Sequence, residues 1–241
     1  RVIGGAHPHA GLETVTLVLE GSLRDRDEGE LSAGEVVWMT AGRGIVHNEH
    51  VEAEGRVRVL QLWIGLPRQA RLAPPGLQLI RGDGVKLLHA PGALVRLYSG
   101  SLGALRSATR NLVPVTLAEV ALDPGARLEV PLPPRHSGFL YAVAGSVAAG
   151  SGATPVGEGE VGWLDRSLVS SASSLALHAG PAGARVVVYA GEPHGEPLVQ
   201  HGPFVADDED GITRFFREYR SGRFPRLSQL AAAATKAPHT V

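Results

Sequence analysis

Two short histidine motifs near the start of the chain constrain its fold more than any other feature. His7-Pro8-His9 runs into Ala10-Gly11-Leu12-Glu13, and His47-Asn48-Glu49-His50 follows later. Both motifs sit in segments with β character. In a strand, residues i and i+2 face the same side. His7 and His9 therefore project together, and so do His47 and Glu49. Three imidazoles and one carboxylate that converge inside a barrel make a site for a first-row transition metal. A lone His-X-His on a strand is ordinarily surface or filler, but here a second pair and glycine-rich turns accompany it. His50 has the opposite parity to His47 and Glu49 and is expected to face outward.

The chain has no cysteine, so a metal would have to be held by nitrogen and oxygen donors. That composition also suits the cytoplasm. The net charge of −1 gives no basic footprint for nucleic acid. No apolar run is long enough to span a membrane. The 241 residues fit one large or two smaller domains. Short apolar runs separated by glycines, 31 in all, point to many strands joined by turns. A candidate ligand comes as early as residue 7, where a barrel strand already needs neighbours. A native N-terminal segment is therefore expected to be missing, and no signal peptide can be judged.

Along the first strands the odd positions His7, His9, Glu13, Val15, Leu17 and Leu19 are expected to look inward. Val15, Leu17 and Trp38 would then form an apolar wall for a flat substrate. The charged loop 25–30 is expected to be a solvated hairpin tip. The apolar run 57–64 reads as a buried strand.

The second half repeats the first. Gly145 stands 124 positions after Gly21, Gly159 stands 125 after Gly34, and Arg185 stands 127 after Arg58, each in matching local sequence. A nearly constant offset indicates a duplicated domain. The offset carries His7 and His9 onto Pro131 and Pro133, and His47 and Glu49 near Ala172 and Ser174. One metal per chain is therefore expected, in the first barrel. The domains are drawn as 1–82 and 83–241, the second including a C-terminal helix. That helix is expected within 206–224, capped by Asp207 or Asp208. Its apolar stripe is Ile212, Phe215, Phe216 and Tyr219, and Ser221-Gly222 stops it. The alanine-rich end, 230–241, reads as a weakly ordered tail.

The segments H-P-H-A-G-L-E-T-V-T-L-V-L-E-G (7–21) and W-M-T-A-G-R-G-I-V-H-N-E-H (38–50) resemble the signatures of the pirin family, within the cupin superfamily. L-W-I-G-L-P (62–67) and G-E-P-H-G-E-P-L-V-Q-H-G-P-F-V (191–205) resemble two further blocks. The likeness spans nearly the whole chain. It implies an all-β fold of two tandem cupin barrels (double-stranded β-helix, or jelly-roll) with a C-terminal α-helix. It also implies His7, His9, His47 and Glu49 as ligands to one divalent metal per chain. Iron is the usual ion, and manganese, nickel, copper, cobalt and zinc are compatible. Glu13 sits where many other cupins place a ligand, so it becomes an alternative ligand or a group behind the ligands.

The resemblance implies two functions. One is quercetin 2,3-dioxygenase chemistry, in which a flavonol loses its 3-hydroxyl proton to Glu49 and its ring opens with dioxygen, releasing carbon monoxide. The other is a non-enzymatic regulator that binds transcription factors or metabolic enzymes, with iron as a structural or redox-sensing element. A monomer without direct nucleic-acid or membrane contact is expected in both cases.

Overall fold

The computed structural model describes residues 5–49, 51–53, 55–166 and 173–230. His50, Ala172 and the tail from 231 onward lie outside the described residues, together with the expectations placed on them. The chain forms two compact units. One joins the residues up to Arg81 with those from Gly195 onward, and the other is Gly82–His194. The expected division at 82 placed the C-terminal helix with the second barrel. The structure instead returns the chain from Gly195 to the first unit.

The first unit begins with β1 (Ala6–His9), β2 (Leu12–Glu20), β3 (Ser22–Asp25), β4 (Gly29–Ser32) and β5 (Val36–Thr40). It continues with β6 (Ile45–Asn48), β7 (Val51–Ala53), β8 (Arg58–Gly65) and β9 (Gly76–Ile80). Its main sheet has the order β8-β2-β5-β9, a second sheet is β4-β3-β7, and β1 pairs with β6 alone. All of these pairings are antiparallel. β8 was expected to be buried, yet it is an edge of its sheet. Val59 is 44% exposed and Trp63 39% exposed, because inward and outward positions alternate along an edge strand.

The second unit contains β10 (Lys86–Ala90), β11 (Ala93–Ser99), β12 (Ser101–Leu102), β13 (Leu105–Arg106) and β14 (Val115–Leu122). β15 (Arg127–Leu132), β16 (Ser137–Ala149), β17 (Thr154–Gly157), β18 (Val161–Leu164) and β19 (Ser173–Gly191) complete it. The sheet runs β10-β11-β14-β19-β16-β17, with β15 also on β19 and β18 on β16. Its interior is apolar, filled by Leu97, Val120, Leu140, Leu177, Val186 and Val188 among others.

The duplication is visible in the hydrogen bonds. Gly34 N–H donates to Val18 O, and Gly159 N–H donates to Ala142 O, both at 2.8 Å. The Glu35 carboxylate accepts from Ser32 N–H, and the Glu160 carboxylate from Gly157 N–H. A glycine just past a bulge has a left-handed φ in each copy, +74° at Gly21 after β2 and +69° at Gly145 within β16. A Cβ there would stand 2.4 Å from Arg56 O or 2.2 Å from Gly183 O. Both copies thus need glycine for the same close passage of backbone.

The chain from Gly195 onward adds β20 (Val199–His201), β21 (Phe204–Ala206) and α1 (Glu209–Arg220). Asp208 caps α1 by accepting from Gly211 N–H at 2.8 Å. Glu209 and Asp210 lie at the positive end of the helix dipole, and Arg217 and Arg220 in the last turn. Ile212 and Phe215 are buried, and they pack with Ala10, Val46, Phe204 and Phe224. Val205 N–H donates to Ala10 O at 3.0 Å, and Val46 N–H donates to Pro225 O at 2.9 Å. The C-terminal segment therefore braces β1 and β6, the two strands that carry the histidines.

Candidate metal centre

β1 and β6 pair so that His7 lies directly opposite His47. Alternation along β1 puts His9 beside His7. One ring nitrogen from each of His7, His9 and His47 lies within 4.8 Å of the others. His7 Nδ1 donates to Gly5 O at 2.9 Å, and His47 Nδ1 lies 3.4 Å from Glu28 Oε1. With those nitrogens engaged, the two Nε2 atoms face each other at 3.0 Å. Lone pairs brought that close repel unless a proton or a cation stands between them. Burial pushes His9 down to about 3, with help from the nearby His47 and His7, while the Pro203 carbonyl opposes the shift. His9 is therefore neutral, the form a metal requires.

Glu49 lies at the rim of this group. Its Oε2 is 3.8 Å from His7 Nε2 and its Oε1 is 3.9 Å from His47 Nε2. Gln61 Nε2 donates to Glu49 Oε1 at 3.0 Å and contacts Thr16 Oγ1 at 3.1 Å. Gln61 went unnoticed in the sequence because an exposed glutamine on a strand has no signature of its own. Trp63 meets His9 edge to face, with centroids 4.9 Å apart.

These contacts correct the expected lining. Thr14 is opposite Trp63, and Thr16 is opposite Gln61. The even side of β2 therefore faces the histidines. Val15, Leu17 and Trp38 belong to the odd side and are fully buried there, Val15 directly opposite Trp38. They are not the wall of this site. Glu13 also lies on the odd side, where it accepts from Thr40 Oγ1 at 2.6 Å. Its carboxyl is raised above the usual carboxylate range by burial, against the pull of that hydrogen bond. Glu13 is outside the histidine group.

The loop expected to be solvated is likewise different. Asp25 is 3% exposed and the Glu28 side chain 7%, and Glu28 turns inward onto His47. Burial alone would pull His47 down. The Glu28 hydrogen bond and the charges of Glu49, Glu28 and Asp25 outweigh it and leave the imidazole above its ordinary value.

In the second unit, β15 pairs Pro131 with Ser174 where β1 pairs His7 with His47. Among the described residues, the only group of three or more candidate ligands with this spacing is His7, His9 and His47. Among the described residues, no helix is long and apolar enough to cross a membrane.

Comparison with known proteins agrees with this architecture. Residues 3–64 match the pirin family and residues 117–225 the pirin C-terminal cupin domain. A Pseudomonas aeruginosa protein whose name assigns it provisionally to quercetin 2,3-dioxygenases is 37% identical over 228 residues. The match covers 90% of this chain and 78% of that protein. The crystal structure of GK1651 from Geobacillus kaustophilus is 35% identical with a TM-score of 0.73, covering 80% of this chain and 78% of that one. A quercetin 2,3-dioxygenase structure from Acinetobacter baumannii has a TM-score of 0.80 at 24% identity, covering 93% and 80%. At that identity the likeness is one of fold. With two cupin barrels, a C-terminal helix and matches in both halves, the chain belongs to the pirin family.

Proposed function

We propose that this chain is a metal-dependent oxygenase that cleaves flavonols in the manner of the quercetin 2,3-dioxygenases. Iron(II) would be held by His7, His9, His47 and Glu49. The observation that carries the reading is the meeting of three imidazole nitrogens, two of them with Nδ1 already engaged and the third neutral. The name of the Pseudomonas aeruginosa relative supports the reaction class.

The donor set fits the group. Neutral imidazoles suit a first-row ion, and a carboxylate at the rim completes a mixed nitrogen and oxygen set with positions left open. When bound, such an ion supplies Lewis acidity toward a phenolate oxygen and a redox path to dioxygen. The protein's own groups do the rest. Glu49 is the base that takes the 3-hydroxyl proton, and Gln61 keeps its Oε1 from swinging into solvent. Trp63 offers a flat, half-exposed apolar face beside His9 on which an aromatic substrate can lie.

Iron-loaded protein should bleach quercetin under air while consuming dioxygen. Glu49→Gln should slow that turnover by about 10²-fold or more, the usual contribution of a general base. Wild-type turnover in a fully loaded Glu49→Gln variant would remove Glu49 as the base. No turnover by fully loaded wild type would displace the enzyme reading in favour of the regulator with a protein partner.

A further inference from the structure

His47 is 1% exposed at its side chain, and its Nδ1 faces Glu28 at 3.4 Å. Glu28 reaches that place because its loop is tied down on both sides of the contact. Asp25 Oδ1 accepts from the N–H groups of Asp27 at 2.8 Å and Glu28 at 2.9 Å. Asp27 Oδ2 accepts from Asn48 N–H, the residue after His47, at 2.9 Å. A carboxylate on a loop with four acids, Asp25, Asp27, Glu28 and Glu30, could remain in water at no cost, and burying it is expensive unless it is paired. Here the partner is the imidazole.

We propose that Glu28 is a positioning residue of the metal centre. It accepts the Nδ1 proton of His47 and so holds the ring in the tautomer whose Nε2 lone pair faces His7 and His9. The inference rests on the reading of those histidines as a metal site. A carboxylate that receives the second N–H of a ligating histidine fixes the ring and raises its basicity, and its loss commonly weakens binding 10–100-fold. In this chain the carboxylate is supplied by the loop that reads from sequence as a solvated tip.

Two variants of the full chain separate orientation from charge. Glu28→Gln keeps an acceptor oxygen and removes the charge, whereas Glu28→Ala removes both. Long-range proton–nitrogen NMR on the metal-free protein reads the His47 tautomer at a pH where the same spectra show that ring to be neutral, because the pull of burial is outweighed by Glu28, Glu49 and Asp25, which raise His47 above the ordinary imidazole range. Nickel(II) titrated against a competing chelator reads affinity, and thermal melting separates a folding defect from a site defect. Wild type should show the Nδ1–H tautomer. Glu28→Gln should keep it and bind nickel roughly tenfold more weakly, and Glu28→Ala should lose it and bind roughly 100-fold more weakly. An Nε2–H tautomer in wild type would overturn the proposal, as would wild-type nickel affinity in a folded Glu28→Gln protein. If wild type itself binds no nickel, the metal reading fails. The tautomer then still decides whether Glu28 orients His47.

Discussion

A Cβ added to Gly11 would lie 1.7 Å from the carbonyl oxygen of Val205. Gly11 also has a φ of +77°, a region that L side chains occupy at a cost of about 1–2 kcal/mol. The residue does two things at once. It lets β21 pass close to the chain, and it breaks the alternation between His9 and Leu12. Gly11→Ala is therefore expected to destabilise the protein by at least about 2 kcal/mol, the strain added to the clash. Urea unfolding checks this, and an unchanged midpoint would refute it.

Glu13 gives a test in pH. Burial raises its carboxyl above the usual range. The folded state thus keeps the proton to a higher pH than the unfolded chain does. Between the two titrations the folded form binds more protons, so stability falls as pH rises. Glu13→Gln keeps an acceptor for the Thr40 hydroxyl and removes the charge. It should unfold at higher denaturant than wild type at neutral pH, with the advantage shrinking as pH drops below the folded titration. A variant weakened equally at acid and neutral pH would show that burial of the charge is not the governing effect.

These two residues also show what the sequence carried and what it hid. His7, His9 and His47 were legible because alternation within a short strand is local, and they lie together with Glu49 at their rim. The second barrel was legible because Gly21 and Gly145 recur in matching surroundings. The lining was not legible. Counting parity through Gly11 assumes one continuous strand, whereas its left-handed φ reverses the faces, so Thr14 and Trp63 stand where Val15 and Trp38 were expected. Glu28 was hidden because loop charges are ordinarily solvated. The place of the C-terminal helix was hidden as well. An amphipathic stripe shows that a face is buried but not against which unit.

Metal content follows from the histidine arrangement and the apolar interior of the second unit. Purified protein should hold close to one first-row ion per chain by elemental analysis, and His47→Ala should lose most of it. Removing His47 also leaves Glu28 buried without its partner, so the variant's melting temperature should fall by several degrees. Two ions per chain would mean that the second unit binds metal by groups outside this pattern.

The C-terminal helix sorts its aromatic residues by depth. Phe215 is fully buried and packs with Phe204, 5.9 Å between ring centroids, and with Phe224 at 6.4 Å. Tyr219 is 38% exposed on the same stripe. A helix of this length is marginal alone in water, so the buried rings hold it in place. Phe215→Ala should cost about 3–5 kcal/mol, the usual range for a buried phenylalanine, whereas Tyr219→Ala should cost well under half as much. Because Phe204 N-terminal to the helix adjoins Ala10 through a parallel bridge, the loss should also reach β1 and weaken metal binding with no ligand altered. Thermal melting and metal titration on both variants test the pair. If Phe215→Ala melts like wild type, the helix is held by something other than this cluster. If it melts early yet binds metal with unchanged affinity, the C-terminal segment stabilises the first unit without bracing the histidines.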